Sequence, residues 1–438
     1  MGTPKGRKHT AAANGARQHQ SEFRRTHRIS GRGFPISSLT SAEFLTHSTN
    51  PLSSFVRTHT GARARNRARN RNRPSPIHQS ATYYSVAVLA LAVVASIASP
   101  SARAEIAIAE STDKLEIRIA DKPFATYVWS DPNIVRPYFC NVHAPNGAQV
   151  TRSYPTDPVI NKGNDDHATM HPGIWLAFGD VNGLDVWRNK ARVWHAHFVE
   201  KPFSDDDHAT FTVLNVYDPL TGSSDASFYE TCRYDVYALD IGWFIIAQSA
   251  FQSRKGEIRF GDQEEMGLGV RMQTPLTVKF GNGTILNSQK GRNEYGTWGF
   301  PAKWCSAYGK VDDAFVGATI MPGPDNFRTS WYHSRDYGLV VANPFGKKAM
   351  TAANKDEVPP DVTIVPRSNV FRLMFGVFVF STTLEPDNTS AFEWFTELLS
   401  QCEPPKPPVE LLQDDQRIGP LEIEVRVNPS TADPEPAR

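Results

Sequence analysis

Cysteine is scarce. Cys140, Cys232, Cys305 and Cys402 are the four in 438 residues, and no two form a Cys-x-x-Cys pair. Zinc ribbons and thioredoxin-type redox motifs are thereby excluded. Also missing are Gly-x-Gly-x-x-Gly, Gly-x-x-x-x-Gly-Lys-Ser/Thr, Gly-x-Ser-x-Gly and His-Glu-x-x-His. Dinucleotide binding, nucleoside triphosphate binding, the common esterase elbow and zincin chemistry lose their usual sequence support. No apolar run reaches the roughly 20 residues that a membrane-spanning helix needs.

What is present divides by charge. The formal net charge of +1 averages two unlike pieces. Residues 1–80 carry 15 Lys+Arg against only Glu22 and Glu43, whereas residues 105–438 carry 31 against 44 Asp+Glu. The basic piece includes the Arg/Asn/Ala run at 62–73 and has no apolar period, so it cannot bury enough surface to offset its ordering entropy and reads as a disordered arm. Such an arm suits nucleic acid or a membrane surface, but the next segment gives a simpler reading. Residues 86–98 form a 13-residue apolar run, and Ala102-Arg103-Ala104 follows with small residues where a signal peptidase reads. The expectation is a signal peptide at 81–104, an arm at 1–80 that is discarded or lies ahead of the true start, and a periplasmic or secreted mature protein from near Glu105. That mature piece is acidic and unsuited to polyanions, so nucleic acid is not an expected partner and no stable membrane span is expected. In an oxidising compartment the four cysteines allow three complete pairings, and buried free thiols stay equally open.

The mature chain reads as strand. Apolar and polar residues alternate at 115–119, 194–198 and 228–237, and β-branched or aromatic runs fill 209–216, 243–251, 315–321, 338–342 and 370–381. This is the period of half-buried strands. Asn282-Gly283 between two such runs is a hairpin signal. The expected fold is all-β, a large antiparallel sandwich over 105–402 with one C-terminal helix. The helix carries a capping box at Ser390 and Glu393 and an apolar stripe of Phe392, Phe395, Leu398, Leu399 and Cys402. An acidic, Pro-rich tail at 403–438 holds one alternating segment at 421–427.

Chemistry concentrates in four Gly-flanked polar segments. Asp165-Asp166-His167 with His171-Pro172-Gly173 sets two imidazoles where a loop enters a strand, fit to move protons near neutral pH; His171 ranks ahead of His167. Glu264-Glu265 leads into a Gly-rich strand ending at Arg271, and Glu265 is the candidate general base. Trp298 and Trp304 follow Asn287-Ser288 and offer flat apolar surfaces for a ligand, with Trp304 the chosen platform. The fourth segment, Trp331 to Gly338, sets His333, Arg335 and Asp336 among aromatics and is followed by Asn343-Pro344-Phe345-Gly346. His195 and His197 lie on one face of an alternating strand and are taken as an ordinary half-exposed face.

The ordered motifs Arg136-Pro137-Tyr138, Val142-His143-Ala144-Pro145, Val150-Thr151-Arg152, His171-Pro172-Gly173-Ile174-Trp175, Gly179-Asp180-Val181-Asn182-Gly183, Trp331 to Gly338 and Asn343 to Gly346 are similar to those of a bacterial family labelled "methane oxygenase PmoA", over roughly residues 114–380. The resemblance implies a galactose-mutarotase-like supersandwich, as in sugar mutarotases and polysaccharide lyases, and sugar chemistry in secreted proteins. The family's denser His-Pro-His-His cluster is replaced here by Asp166-His167-Ala168-Thr169-Met170-His171-Pro172.

The resulting expectation is a carbohydrate-active hydrolase, lyase or epimerase with Glu265 as base, His171 or His333 as acid, and Asp336 orienting an imidazole. His167, Arg271, Arg335, Asn343 and Trp304 would hold the substrate. No cofactor is expected, though a divalent metal on His167, His171, Glu265 and His333 is one alternative. A non-catalytic glycan-binding module is the other.

Overall fold

In the computed structural model, residues 104–222, 227–351 and 357–414 are described. The basic arm, the signal segment and the alternating stretch at 421–427 lie outside the described residues.

The alternating segments form two eight-stranded sheets in which adjacent strands pair antiparallel. In spatial order the first contains β1 (Ile106–Glu110), β2 (Lys114–Ile119), β3 (Lys122–Val128), β4 (Tyr138–Cys140), β5 (Ile174–Phe178), β11 (Met266–Arg271), β16 (Leu339–Asn343) and β15 (Trp331–Arg335). The second contains β12 (Thr284–Asn287), β13 (Cys305–Val311), β14 (Ala314–Pro322), β18 (Phe371–Thr382), β9 (Gly242–Gln252), β8 (Phe228–Leu239), β7 (His208–Pro219) and β6 (Ala191–Asp205). A short ribbon pairs β10 (Ile258–Phe260) with β17 (Thr363–Val365).

Alternation explains the layers. Along β9, Trp243, Ile245, Ala247 and Phe251 join the core between the sheets, while Phe244 and Ile246 join a second cluster behind the second sheet. Helix α3 (Asn388–Gln401) covers that back face with Ala391, Phe395, Leu398 and Leu399. Burying Phe395 alone is worth about 2–3 kcal/mol. Three short α-helices, α1 (Asn293–Thr297), α2 (Lys347–Thr351) and α4 (Pro408–Asp414), and one 3-10 turn at Thr274–Leu276 complete the described elements. None of the helices among the described residues is long and apolar enough to cross a membrane.

Three details depart from the sequence reading, and the open question of the cysteines is answered. Helix α3 is capped by Asp387, whose Oδ1 accepts from the amides of Thr389 and Ser390 at 3.1 and 3.2 Å; Ser390 is already inside the first turn. Asn282-Gly283 closes no hairpin, because residues 278–280 form turns and β12 pairs with β13 instead. Asn282 is used to bracket Lys310, donating to its carbonyl at 3.0 Å and accepting from its amide at 2.7 Å. The Pro-rich tail begins with helix α4, since Pro408 stands at a first-turn position where its missing N–H costs nothing. The four cysteines are buried free thiols.

Candidate functional site

Directly opposed residues on neighbouring strands share a face, so register shows what the first sheet gathers on its outer side. Leu268 lines the space between the sheets with Tyr234, Ile245, Ala247 and Val377 of the second sheet, so its neighbour Gly269 points the other way. Trp175 opposes Gly269, Gly269 opposes Val341, and Val341 opposes His333, giving one row across β5, β11, β16 and β15. A second row runs from Arg271 through Leu339 to Arg335. Gly269 leaves space for the indole of Trp175; a Cβ there would lie 2.8 Å from Trp175 Cζ2.

Buried arginines shape the first loop on this floor. Arg152, fully buried, donates to the carbonyls of Asn164, Asp166, His167 and His171 at 2.7, 2.8, 3.4 and 3.2 Å. Arg136 ties Met170 O to Val186 O and Asn189 Oδ1 at 2.6, 3.2 and 2.7 Å. Five donors per guanidinium suit this gathering of loop carbonyls. Arg271 donates from Nη2 to Asn164 Oδ1 at 2.6 Å and to Asp166 Oδ1 at 2.9 Å, and its Cζ lies 4.2 Å from the Tyr337 ring centroid.

Held this way, the loop presents its two histidines differently. His171 is buried, stacked on Trp175 with centroids 5.2 Å apart and planes at 15°, and flanked by the edge of Trp187 at 5.8 Å. Its Nδ1 is sealed without a partner. Burial, then the positive charges of Arg271 and Arg152, push its pKa well below the usual imidazole range, so at neutral pH it is the neutral imidazole and not the imidazolium that a general acid would be. That corrects its role as acid. His167 is half exposed, with backbone φ of 52°, and its Nδ1 lies 2.6 Å from Asp166 Oδ2. Burial works against the charge on Asp166, but His167, Arg271 and Arg152 outweigh it and hold the carboxyl below its usual range. An oriented, solvent-facing imidazole is the form a proton carrier takes. Of the two, the structure thus exposes His167 and buries His171, which the sequence ranked first.

Across the floor, His333 is buried with Nδ1 3.4 Å from Glu264 Oε2, an ion-pair distance without hydrogen-bond geometry. Arg335 joins Glu264 at 3.2 Å and Glu294 at 2.7 Å and lies over Trp298, its Cζ 5.5 Å from the ring centroid. Asp336 orients no imidazole: Oδ1 accepts from the Glu294 amide at 2.8 Å, while Glu294 Oε2 accepts from the Asp336 amide at 3.1 Å. The carboxylate beside His333 is Glu264. Glu265 forms an ion pair with Arg188, which also holds Asp185 at 3.1 Å. Asn343 is consumed in folding, donating to the carbonyls of Gln263 and Glu264 at 2.7 and 3.0 Å and accepting from the amides of Phe345 and Gly346 at 2.8 and 2.9 Å.

Three of the four segments therefore meet on one sheet face. Trp298 of the third joins them; Trp304 does not. Trp304 is buried in the cluster under α3, behind the other sheet, and is no platform for the same ligand. His195 opposes Asn215 while His197 opposes Leu214, so a bulge puts the two on opposite faces. Among the described residues no three His, Cys, Asp or Glu side chains gather to hold a metal ion. Sequence reasoning passed over Asp166, Trp175 and Tyr337; the adjacency of Asp166 and His167 was the available signal.

A family model described as "Family of unknown function (DUF6807)" matches residues 114–392, from β2 into α3. The chain belongs to that family. Every DUF6807 residue placed on the outer face above falls within the matched segment. No curated protein matches in sequence. Among solved structures, a galactose 1-epimerase from Lactobacillus acidophilus aligns at 7% identity over 64% of this chain and 99% of its own, TM-score 0.31. A galactose mutarotase-like protein from Lactobacillus casei aligns at 11% over 63% and 99%, TM-score 0.30. A GH36 α-galactosidase from Geobacillus stearothermophilus aligns at 11% over 59% of this chain, which spans 39% of that enzyme's length, TM-score 0.29. At these identities no residue of the DUF6807 chain takes a role from them.

Proposed function

We propose that the chain is a carbohydrate-active enzyme in which His167 moves a proton on a sugar or oxidised sugar. The observation that carries the reading is the exposed His167, fixed through Nδ1 by Asp166, which is itself anchored on buried Arg271. With Nδ1 bonded to the carboxylate, Nε2 is left to accept a proton from substrate, and Asp166 stabilises the imidazolium that forms. The neutral His171, Tyr337 and the indole of Trp298 supply the polar and flat surfaces that a ring with hydroxyl groups needs. Glu264 and Glu265 are each engaged by an arginine, so both carboxylates are spent on ion pairs rather than on the acid and base of a two-carboxylate hydrolase. Proton abstraction, as in a lyase or epimerase, is the chemistry this geometry serves best.

The test follows solvent deuterium entering a sugar carbon by NMR, with product formation in parallel. Neutral and uronic oligosaccharides are incubated with the full chain. Exchange or turnover that falls about 10²–10⁴-fold in His167→Ala with unchanged folding is the expected result. Wild-type rates in that variant, or no exchange with any substrate, overturn the reading. We also place this enzyme outside the cytoplasm, with a mature start near Glu105; N-terminal sequencing of the exported form checks that, and a start well upstream refutes it.

A further inference from the structure

A cleft of about 690 Å³ opens between helix α3, the turn that follows β12 and the residues that lead into β13. Its volume is that of a small-molecule site, roughly 300–1,000 Å³. Trp304 lies in its floor. The side chain is only 8% exposed and packs with Phe395, Leu398 and Leu399 in the apolar cluster under α3, so the floor is fixed. Its indole N–H bonds to no group among the described residues, yet it is not sealed in the interior as the Nε1 atoms of Trp175 and Trp298 are. The strip of Trp304 left open lines this cleft, so a nine-tenths-buried side chain faces it with a free donor. On the walls, Lys303 sets Nζ 6.0 Å from the Phe392 ring centroid. Glu393 and Glu397 stand one turn apart on α3, neighbours on its exposed surface, and Gln289 borders the cleft from the turn after β12. Lys303, Glu393 and Glu397 form no ion pair among the described residues, unlike Glu264 and Glu265 at the other sheet.

We propose that this cleft is a second, non-catalytic binding site that takes a segment of a neutral glycan. The mixture of donors and acceptors decides the ligand class. The Lys303 ammonium and the Trp304 N–H only donate, the ionised Glu393 and Glu397 only accept, and the Gln289 amide does both. A hydroxyl group donates and accepts, so a polyhydroxylated ligand satisfies all of them together. A cation would meet the carboxylates and leave the two donors without acceptors. Two carboxylates against one ammonium disfavour uronates and phosphates. Charged groups are depleted from the centres of protein interfaces, which sets a protein partner behind a glycan, while Phe392 and the open strip of Trp304 offer the apolar surface that a sugar ring's C–H face needs. The cleft belongs to the second sheet and α3, and His167 and Asp166 belong to the first sheet's outer side, so the proposal does not rest on the catalytic reading.

The experiment is affinity electrophoresis of the full chain through gels containing laminarin, xylan or galactomannan, with polygalacturonate as the anionic comparison. Wild type, Trp304→Phe, the double variant Glu393→Ala/Glu397→Ala and His167→Ala are run side by side. The expected result is retardation of wild type by at least one neutral polysaccharide and none by polygalacturonate. Affinity should weaken about three- to tenfold in Trp304→Phe, which keeps a ring and removes the donor, and on the order of tenfold in the double variant; His167→Ala should be retarded like wild type. The two glutamates are exposed, so the double variant decides the matter even where the buried substitution at Trp304 disturbs folding. No retardation by any neutral polysaccharide overturns the proposal, as does equal retardation of wild type and the double variant. Retardation lost in His167→Ala and kept in the double variant also overturns it, and would place the glycan at the first sheet instead. Turnover in His167→Ala is read separately, so the two ideas fail separately.

Discussion

Asp166 accepts from His167 Nδ1 at 2.6 Å through one carboxylate oxygen and from Arg271 Nη2 at 2.9 Å through the other. An exposed imidazole is thus tied to a fully buried guanidinium by a single side chain. Asp166→Asn keeps the size but not the charge, and an amide presents a donor to one of two partners that both donate. Turnover in Asp166→Asn is expected to fall between those of wild type and His167→Ala, with kcat affected more than KM. The thermal midpoint should shift little, because the side chain is half exposed. A kcat equal to that of wild type removes Asp166 from the mechanism.

Gly269→Ala tests the floor rather than the chemistry. The added methyl would lie 2.8 Å from Trp175 Cζ2 and 3.0 Å from Cε2, so the indole must move, and with it the stacked His171. Overpacking of this kind costs about 1–3 kcal/mol. The expected outcome is a changed near-ultraviolet circular dichroism from the Trp175 and Trp187 pair, a lower thermal midpoint and reduced turnover. An unchanged aromatic signal would show that the floor is not closely packed.

Local periodicity reported the strands because a strand's own residues fix its period: 209–216, 243–251 and 315–321 each fall within an observed element, and 370–381 does so but for its first residue. The site was legible only in part, since it is assembled by register between strands far apart in sequence, Trp175 against Gly269 and Gly269 against Val341. Burial separated residues that look alike in sequence. His171 and His167 are four apart, yet one is sealed on Trp175 and the other faces solvent. Trp298 and Trp304 are six apart, yet one reaches the first sheet's outer face and the other the cluster under α3. Asp336 and Glu264 exchanged roles for a similar reason: the short helix α1 needed a carboxylate at its start, and Asp336 was spent there.

Acid should weaken the fold through its buried imidazoles. His195 is packed against Trp129 and Phe198, and burial, then the neighbouring His197, push its pKa down to about 4. The unfolded imidazole binds a proton near 6.5 and the folded one does not, so stability is present above about 6.5 and is lost as pH falls toward 4. His171 acts in the same direction. In His195→Phe this contribution is absent. Its thermal midpoint should drop less than that of wild type between pH 7 and about pH 4.5, a difference read by calorimetry. Parallel midpoints over that window would show that His195 keeps its ordinary affinity for protons.

Glu230 poses the opposite case. It is fully buried in the second sheet, accepting from Ser249 Oγ at 2.6 Å, Asn215 Nδ2 at 3.1 Å and Tyr217 OH at 3.1 Å, and no ion pair reaches it among the described residues. Burial raises its pKa despite the three donors. The folded state therefore keeps a proton that the unfolded chain releases above its ordinary 4.5, and stability falls as pH rises through the interval between the two values. Glu230→Gln does not titrate. Its amide nitrogen can donate to Asn215 Oδ1, which has no partner, once the Asn215 amide turns over, and the Tyr217 hydroxyl can rotate to accept. The variant should match wild type in urea midpoint near pH 5 and exceed it near pH 8. A variant that is equally destabilised at both pH values would mean that the charge on Glu230, rather than its shape, is what the fold uses.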